Sequence, residues 1–292
     1  MYEFIKAHAH LYPVAIQCAV LKVSRSAYYS WNEQKQRMAG EKKNEMEQSI
    51  IRVFREHRRR YGVRRVAAEL KAQGKAKAGA YKVRKVLKEH GLKAIQPRSF
   101  VPKTTDSRHP YPISPNLLLE RSLPIRPNEV WVGDITYIPL AGGSYGYLAV
   151  WMDLYSRKII GWHLDNYMKE ALVITAFKKA LMSRSITAAL IVHSDRGGQY
   201  AGNKFRKLLN SKPQIMQSMS RADNPYDNAF MESCFSRFKT ELMQDGAFEN
   251  LQDANTEIFE YIEMYYNTKR RHSSLNYECP NNFEKNYYFY IT

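Results

Sequence analysis

Asp134 stands inside the apolar run VWVGDITYIPL, and Asp195 follows a second one, AALIVHS. Glu232 lies in DNAFMESCFSRFKTEL, where Met231, Phe235, Phe238 and Leu242 recur at helical spacing. An ionised carboxylate within an apolar strand is costly unless something compensates it, and a bound cation is one common compensation. Two carboxylates on strands and one on a helix, brought together, make an oxygen-rich site for Mg²⁺ with positions open for phosphate. That donor set suits phosphoryl transfer on nucleic acid, with paired metal ions on the attacking and leaving oxygens.

The elements that must position these residues are legible from Glu129 onward. VWVGDITYIPL, YGYLAVWMDLY and KIIGWHLD are strand-like runs rich in β-branched and aromatic residues. Gly142, Gly143 and Ser144 turn the first into the second, and Tyr155 and Ser156 turn the second into the third, which makes an antiparallel meander. A helix (KEALVITAFKKALMSR), a fourth strand (AALIVHS) and further helices follow. Asp195 then falls at a strand end, where open sheets place their sites. Glu232 shares a helix face with Ser236 and Lys239 at i, i+4 and i+7. This α/β pattern resembles the ribonuclease H fold.

The amino-terminal part reads differently. The chain carries a net charge of +17. Residues 1–120 hold 25 Lys and Arg against 10 Asp and Glu, a net of +15, and the remainder holds only +2. A basic segment of that size is the footprint of a nucleic-acid binder. Residues 13–36 suggest two short helices, with Ser24 as an N-cap and Arg25 exposed on the second. A further helix is expected over 41–58, with Met46, Ile50 and Phe54 four apart. RRRYGVRRVAAELKAQG and YKVRKVLKEHG end at Gly74 and Gly91 and form a helix-turn-helix candidate. Arg64 and Arg65 open its first helix. Lys82, Arg84, Lys85 and Lys88 form the basic face of its second, which would enter the major groove while Val83, Val86 and Leu87 pack inward. The expected domains are 1–40, 41–93, a Pro-rich linker over 94–123, and a core with a carboxy-terminal helical segment over 124–292.

No apolar run reaches the length of a spanning helix, and the start lacks the pattern of a signal peptide. Cys18, Cys234 and Cys279 form no CxxC pair and read as free thiols of a cytosolic protein. His8 and His10 have only Cys18 nearby, too few ligands for a structural zinc site.

WVGDITY, VHSDRGGQY, NPYDNAFMES and YNTKRRHSSL, with the amino-terminal HRRRYGVRRVAAELKAQG, resemble the OrfB-type transposases of the insertion-sequence-three family, within the DDE transposase and retroviral-integrase superfamily. The resemblance implies a five-stranded, mixed ribonuclease H-like core behind small helical DNA-binding domains. It implies a catalytic, metal-binding triad of Asp134, Asp195 and Glu232, served by two Mg²⁺ with Mn²⁺ able to substitute. It implies cleavage at the element's 3′ end followed by strand transfer, with no covalent enzyme–DNA link. Arg196 and Lys239 would hold DNA phosphates, as would Arg270, Arg271 and His272 from the carboxy-terminal segment. The implied partners are the element's terminal inverted repeats, target DNA, further copies of the chain, and an upstream reading-frame product by fusion or association. The implied setting is a bacterial cytoplasm, at the nucleoid.

Two departures stand out. Thirty-six residues separate Asp195 from Glu232, one more than this family usually leaves, and the extra residue is assigned to a loop near NSKPQIMQ. Asp223 stands where the family has Gly. Asp153 reads as structural, paired with Arg157, and Asp227 as a cap of the helix carrying Glu232. Two alternatives stay open: a DNA-binding regulator with an inactive nuclease-like domain, and a retroviral-type integrase, against which the missing His/Cys zinc module argues.

Overall fold

The structure, a computed structural model, describes residues 1–75, 77–96, 109–119, 121–221, 228–243 and 246–291, with side chains 37–43 and 290–291 left aside. It divides into two compact units, Met1–Ala94 and Ile95–Thr292.

The first unit is helical: α1 (Tyr2–Ala7), α2 (Val14–Val20), α3 (Arg25–Glu56), α4 (Val63–Ala72) and α5 (Ala80–Glu89). Ser24 caps α3 by accepting from the Ala27 N–H. The expected break near residue 40 is absent, and α3 runs 32 residues without interruption. The segment contains no proline, and Gly40 costs a helix interior only about 1 kcal/mol, so nothing stops it. Ile50, Val53 and Phe54 of α3 are buried, as are Val66 and Leu70 of α4 and Val83, Val86 and Leu87 of α5. These three helices pack on one another. Gly74 and Gly91 end α4 and α5 with φ of +78° and +62°. There the Lys75 N–H reaches Leu70 O at 2.8 Å and the Leu92 N–H reaches Leu87 O at 2.8 Å, the paired closure that a left-handed residue allows.

The second unit is built on a five-stranded sheet: β1 (Val130–Pro139), β2 (Tyr145–Asp153), β3 (Ile159–Asp165), β4 (Leu190–Ser194) and β5 (Ile215–Met219), in the order β3-β2-β1-β4-β5. β1, β2 and β3 pair antiparallel, and β1, β4 and β5 pair parallel. This is the ribonuclease H-like arrangement expected above. β5 occupies part of the NSKPQIMQ segment that the sequence reading assigned to a loop. Only residues 211–214 are left as its turn.

β1 is apolar on both faces because both are covered. Val130, Val132 and Ile138 join one core with Met231, Phe235 and Phe238 of α9 (Ala229–Leu242) and with Ala254 and Ile258 of α10 (Leu251–Phe259). Trp131 and Ile135 join the other, with Val173, Ala176 and Phe177 of α6 (Glu170–Met182) and Phe205 of α8 (Asn203–Asn210). α6 lies close against the sheet at Gly161, where a Cβ would sit 2.4 Å from Ala176 O. The short α7 (Gly198–Ala201) follows β4, and α11 (Pro280–Ile291) ends the chain described.

Residues 109–119, expected within the linker, lie against this unit. The Leu117 N–H donates to Ser218 Oγ at 2.9 Å, and Leu117 and Leu118 pack on the core. Pro97 and Pro102 fall outside the described residues. Asp153 is fully buried, but its partner is not Arg157. Its carboxylate accepts from the Asn128 N–H at 2.7 Å and the Ser156 N–H at 2.9 Å, closing the β2–β3 turn. Arg157 instead lies over the Phe230 ring at 4.4 Å. No helix among the described residues is long and apolar enough to cross a membrane.

Candidate active site

The sheet register places the first two carboxylates. Val132 of β1 is aligned with His193 of the parallel β4. Two residues further on are Asp134, within β1, and Asp195, just past the end of β4, and neighbouring strands run about 4.8 Å apart. Asp134 Oδ1 accepts from the Ile135 N–H at 2.8 Å, and Asp195 Oδ1 accepts from the Gly197 N–H at 3.0 Å. Both line one cleft with Ile135, Met168, Gly197, Gln199 and Tyr200. Gly133 lets the Trp151 indole cross β1 beside Asp134, for a Cβ there would fall 2.5 Å from the ring.

Burial raises the Asp134 carboxyl well above the usual carboxylate range, and Asp195 raises it further. The Ile135 N–H opposes this, Glu232 adds to it, and Lys239 opposes it weakly. A desolvated carboxylate repelled by a second one is what a hard divalent cation would relieve, and carboxylate oxygens are the donors such a cation prefers. The chain's own residues therefore fit the metal that the resemblance implies.

Glu232 is brought only part of the way. It sits in the first turn of α9, exposed, with its charge reaching Asp134. Among the described residues, no three His, Cys, Asp or Glu side chains converge into a ready metal cage. Asp223 and Asp227 lie outside the described residues. The start of α9 is held to β1 by Asn228, buried, whose Nδ2 donates to Gly133 O at 3.4 Å. The sequence reading missed this residue, which sits within the NPYDNAFMES motif four positions before Glu232.

Lys239 lies two helical turns beyond Glu232 on α9. Burial lowers its ammonium below the ordinary lysine value, and the Asp134 charge works against that. Glu241, two positions further on, is buried and engaged by Arg270. Lys239→Ala is expected to slow cleavage and joining about tenfold, the worth of one screened phosphate contact. Lys239→Arg is expected to retain most of the rate, because a contact with a phosphate would be with charge. A wild-type rate for Lys239→Ala at limiting DNA would remove the residue from the site.

Arg270 does not do what the sequence suggested. It is 1% exposed and grips Glu241 of α9 with Nε at 2.8 Å and Nη2 at 2.6 Å. Tyr261 Oη donates to the same carboxylate at 2.9 Å. A guanidinium enclosed in this way cannot also meet a phosphate, so Arg270 belongs to the packing of α9. The signal was Glu241 itself, a charge on the stripe of Met231, Cys234 and Phe238 that α9 buries. Arg271 and His272 are half-buried. The Arg271 guanidinium donates to Tyr277 O at 2.9 Å, and His272 Nε2 lies 3.0 Å from Arg270. Arg196 Nε donates to Ser220 O at 2.6 Å, which fixes the loop after Asp195. His109 closes the same loop from outside, with Nε2 2.7 Å from Arg196 O. His193 is buried against Ser218 at 2.8 Å, away from the cleft lining.

In the first unit, Arg25, Arg64, Arg84, Lys85 and Lys88 are exposed, and Arg65 and Lys82 are half-buried. Lys85 pairs with Glu89 at 3.7 Å along α5, and Arg65 lies 6.0 Å over the Tyr61 ring. Tyr28 is buried and Trp31 half-buried against it, so these aromatics form the core of the first helices. Cys18, Cys234 and Cys279 are all buried free thiols.

Residues 124–225 and 213–280 match integrase core domain families, and residues 41–100 match an HTH-like domain. A transposase for insertion sequence element IS904 from Lactococcus lactis is 40% identical, over 82% of this chain and 93% of its own. Transposase InsF for insertion sequence IS3A from Escherichia coli is 35% identical over 97% of this chain and 98% of its own. A protein of insertion element IS600 from Shigella sonnei is 37% identical over 93% of this chain and 98% of its own. With an integrase core behind an HTH-like domain, and relatives matched along nearly their whole length, the chain belongs to the insertion-sequence-three family of transposases.

Proposed function

We propose that this chain binds the ends of its own insertion element, cleaves the 3′ strand at each end and joins the freed 3′-OH to a second phosphodiester. The observation that carries this reading is the pair Asp134, midway along β1, and Asp195, just past the end of the neighbouring β4, lining one cleft. When bound, two Mg²⁺ ions, or Mn²⁺ in their place, would activate the attacking oxygen and stabilise the leaving one. Asp134 and Asp195 would hold that charge from the sheet, and Glu232 would close on it from α9. Lys239, on the same helix, would hold a phosphate flanking the scissile bond. No Ser or Tyr nucleophile is needed, since hydroxyl oxygens of water and DNA attack in turn.

The first unit would read the element's terminal repeats, with α5 in the major groove and Arg25, Arg64, Arg65, Lys82, Arg84, Lys85 and Lys88 on phosphates and base edges. The assembly would contain further copies of this chain on both ends, with an upstream reading-frame product fused or associated, at the bacterial nucleoid in the cytoplasm.

The test is a labelled duplex carrying an element end, incubated with the full chain in Mg²⁺ and in EDTA. Strand-specific nicking and joined products in Mg²⁺ alone are expected. End-specific binding with no nicking in Mg²⁺ or Mn²⁺ would favour the alternative of an inactive regulator. Binding is also expected to fall steeply with salt, because the +15 of residues 1–120 displaces counterions from DNA. A fragment spanning 95–292 should lose end-specific affinity at least about tenfold. Undiminished affinity would mean that the helical unit is not the reader.

A further inference from the structure

Tyr200 is 1% exposed, and its hydroxyl oxygen is sealed from solvent with no hydrogen-bond partner among the described residues. It lines the cleft that holds Asp134 and Asp195. Burial raises its phenol well above the ordinary tyrosine value, and the charges of Asp134 and Asp195 raise it further, so both carboxylates lie within electrostatic reach. The ring has little freedom to turn away. It stands edge-on to Trp151 at 5.7 Å and Phe205 at 5.9 Å, and its backbone carbonyl accepts from Gln217 Nε2 at 2.8 Å.

A buried hydroxyl without a partner destabilises a fold. A phenylalanine ring would fill the same space without that cost. The groups whose charges reach this donor are acceptors: two carboxylates that must be ionised and correctly turned to hold a cation. Because the oxygen is closed to solvent, it faces neither DNA nor metal, and among the described residues its route to the chemistry is through those carboxylates.

We propose that Tyr200 is a positioning residue whose hydroxyl donates to the Asp134–Asp195 pair when a divalent cation draws both carboxylates into the cleft, fixing the oxygens that face the cation. This inference rests on the function proposed above.

Tyr200→Phe in the full chain tests it with three readouts: thermal unfolding in EDTA, the Mg²⁺ dependence of Tm, and the single-turnover cleavage rate at saturating DNA. Unfolding in EDTA is expected to be unchanged or raised by about 2–4 °C, because an unpaired buried hydroxyl is gone. The Mg²⁺ concentration for half-maximal stabilisation should rise at least about threefold, and the saturated rate should fall about tenfold, with end-binding affinity unchanged. Wild-type Mg²⁺ dependence and rate would overturn the proposal. So would a Tm lowered by several degrees with the Mg²⁺ dependence intact, which assigns Tyr200 to packing alone. If the wild-type chain fails to cut DNA, the proposed function falls by itself, and the Mg²⁺ dependence of Tm still decides the role of Tyr200.

Discussion

Asp134→Asn and Asp195→Asn should each reduce cleavage and joining by at least about 10³-fold, the loss of several kcal/mol of charge stabilisation at the metals. Each change keeps side-chain volume and removes a charge. Asp134 is half-buried in one cleft with Asp195, and burial together with the Asp195 charge disfavours its ionised form without a cation. The same substitutions should leave folding intact or improve it, because the repulsion between Asp134 and Asp195 disappears. Affinity for element ends should be unchanged, since the helical unit is the part proposed to read them. Rates and binding constants measured side by side check this. Activity close to wild type in either variant would remove that residue from the site.

Arg270→Ala should cost about 3–5 kcal/mol of stability, because it strands Glu241 as an uncompensated buried charge. A thermal midpoint lower by roughly 10 °C or more is expected for a unit of this size. Arg270→Lys should recover only part, since an ammonium cannot reproduce the two-pronged grip at 2.8 and 2.6 Å. The triple change Arg270→Met, Glu241→Leu, Tyr261→Phe should regain most of the midpoint, because apolar groups replace the buried ion pair and no hydroxyl is left without the Glu241 carboxylate it donates to. If Arg270 were instead a DNA contact, the single variant would keep its midpoint and lose affinity for ends. The pair matters to function through α9, the helix that carries both Glu232 and Lys239.

Much of the catalytic unit was legible in the sequence. β1, β2, β3 and β4 are covered on both faces and so read as continuous apolar runs. β5 was harder, because IMQSM is short and places Gln217 and Ser218 where the run would have to be apolar. The unbroken α3 was hidden by a polar stretch around residue 40 that carries no core signal of its own. Residues 109–119 look like linker because they contribute backbone hydrogen bonds and only two packed leucines. Asp134 and Asp195 were recognisable as charges at odds with their apolar strands, while their alignment is set by the β1–β4 register, which no local pattern states. Arg270 misled because its partner lies on another helix, 29 residues earlier. A run such as KRRH looks solvated until Glu241 is seen to be buried with it. Asn228 and Tyr200 stood inside recognised motifs, but their roles depend on Gly133 O and on the cleft, which only the fold brings near.

Asp134, Asp195 and Glu232 are proposed to form one divalent-cation site. Ferrous iron in place of Mg²⁺, with ascorbate and peroxide, cuts a polypeptide backbone only next to where the metal sits. On the full chain bound to end-containing DNA, fragments should terminate near all three residues. Excess Mg²⁺ should suppress them, and they should vanish in Asp134→Asn, Asp195→Asn. Cutting near Asp134 and Asp195 with none near Glu232 would contradict the three-carboxylate site, and cutting that ignores Mg²⁺ and survives both substitutions would contradict the site altogether.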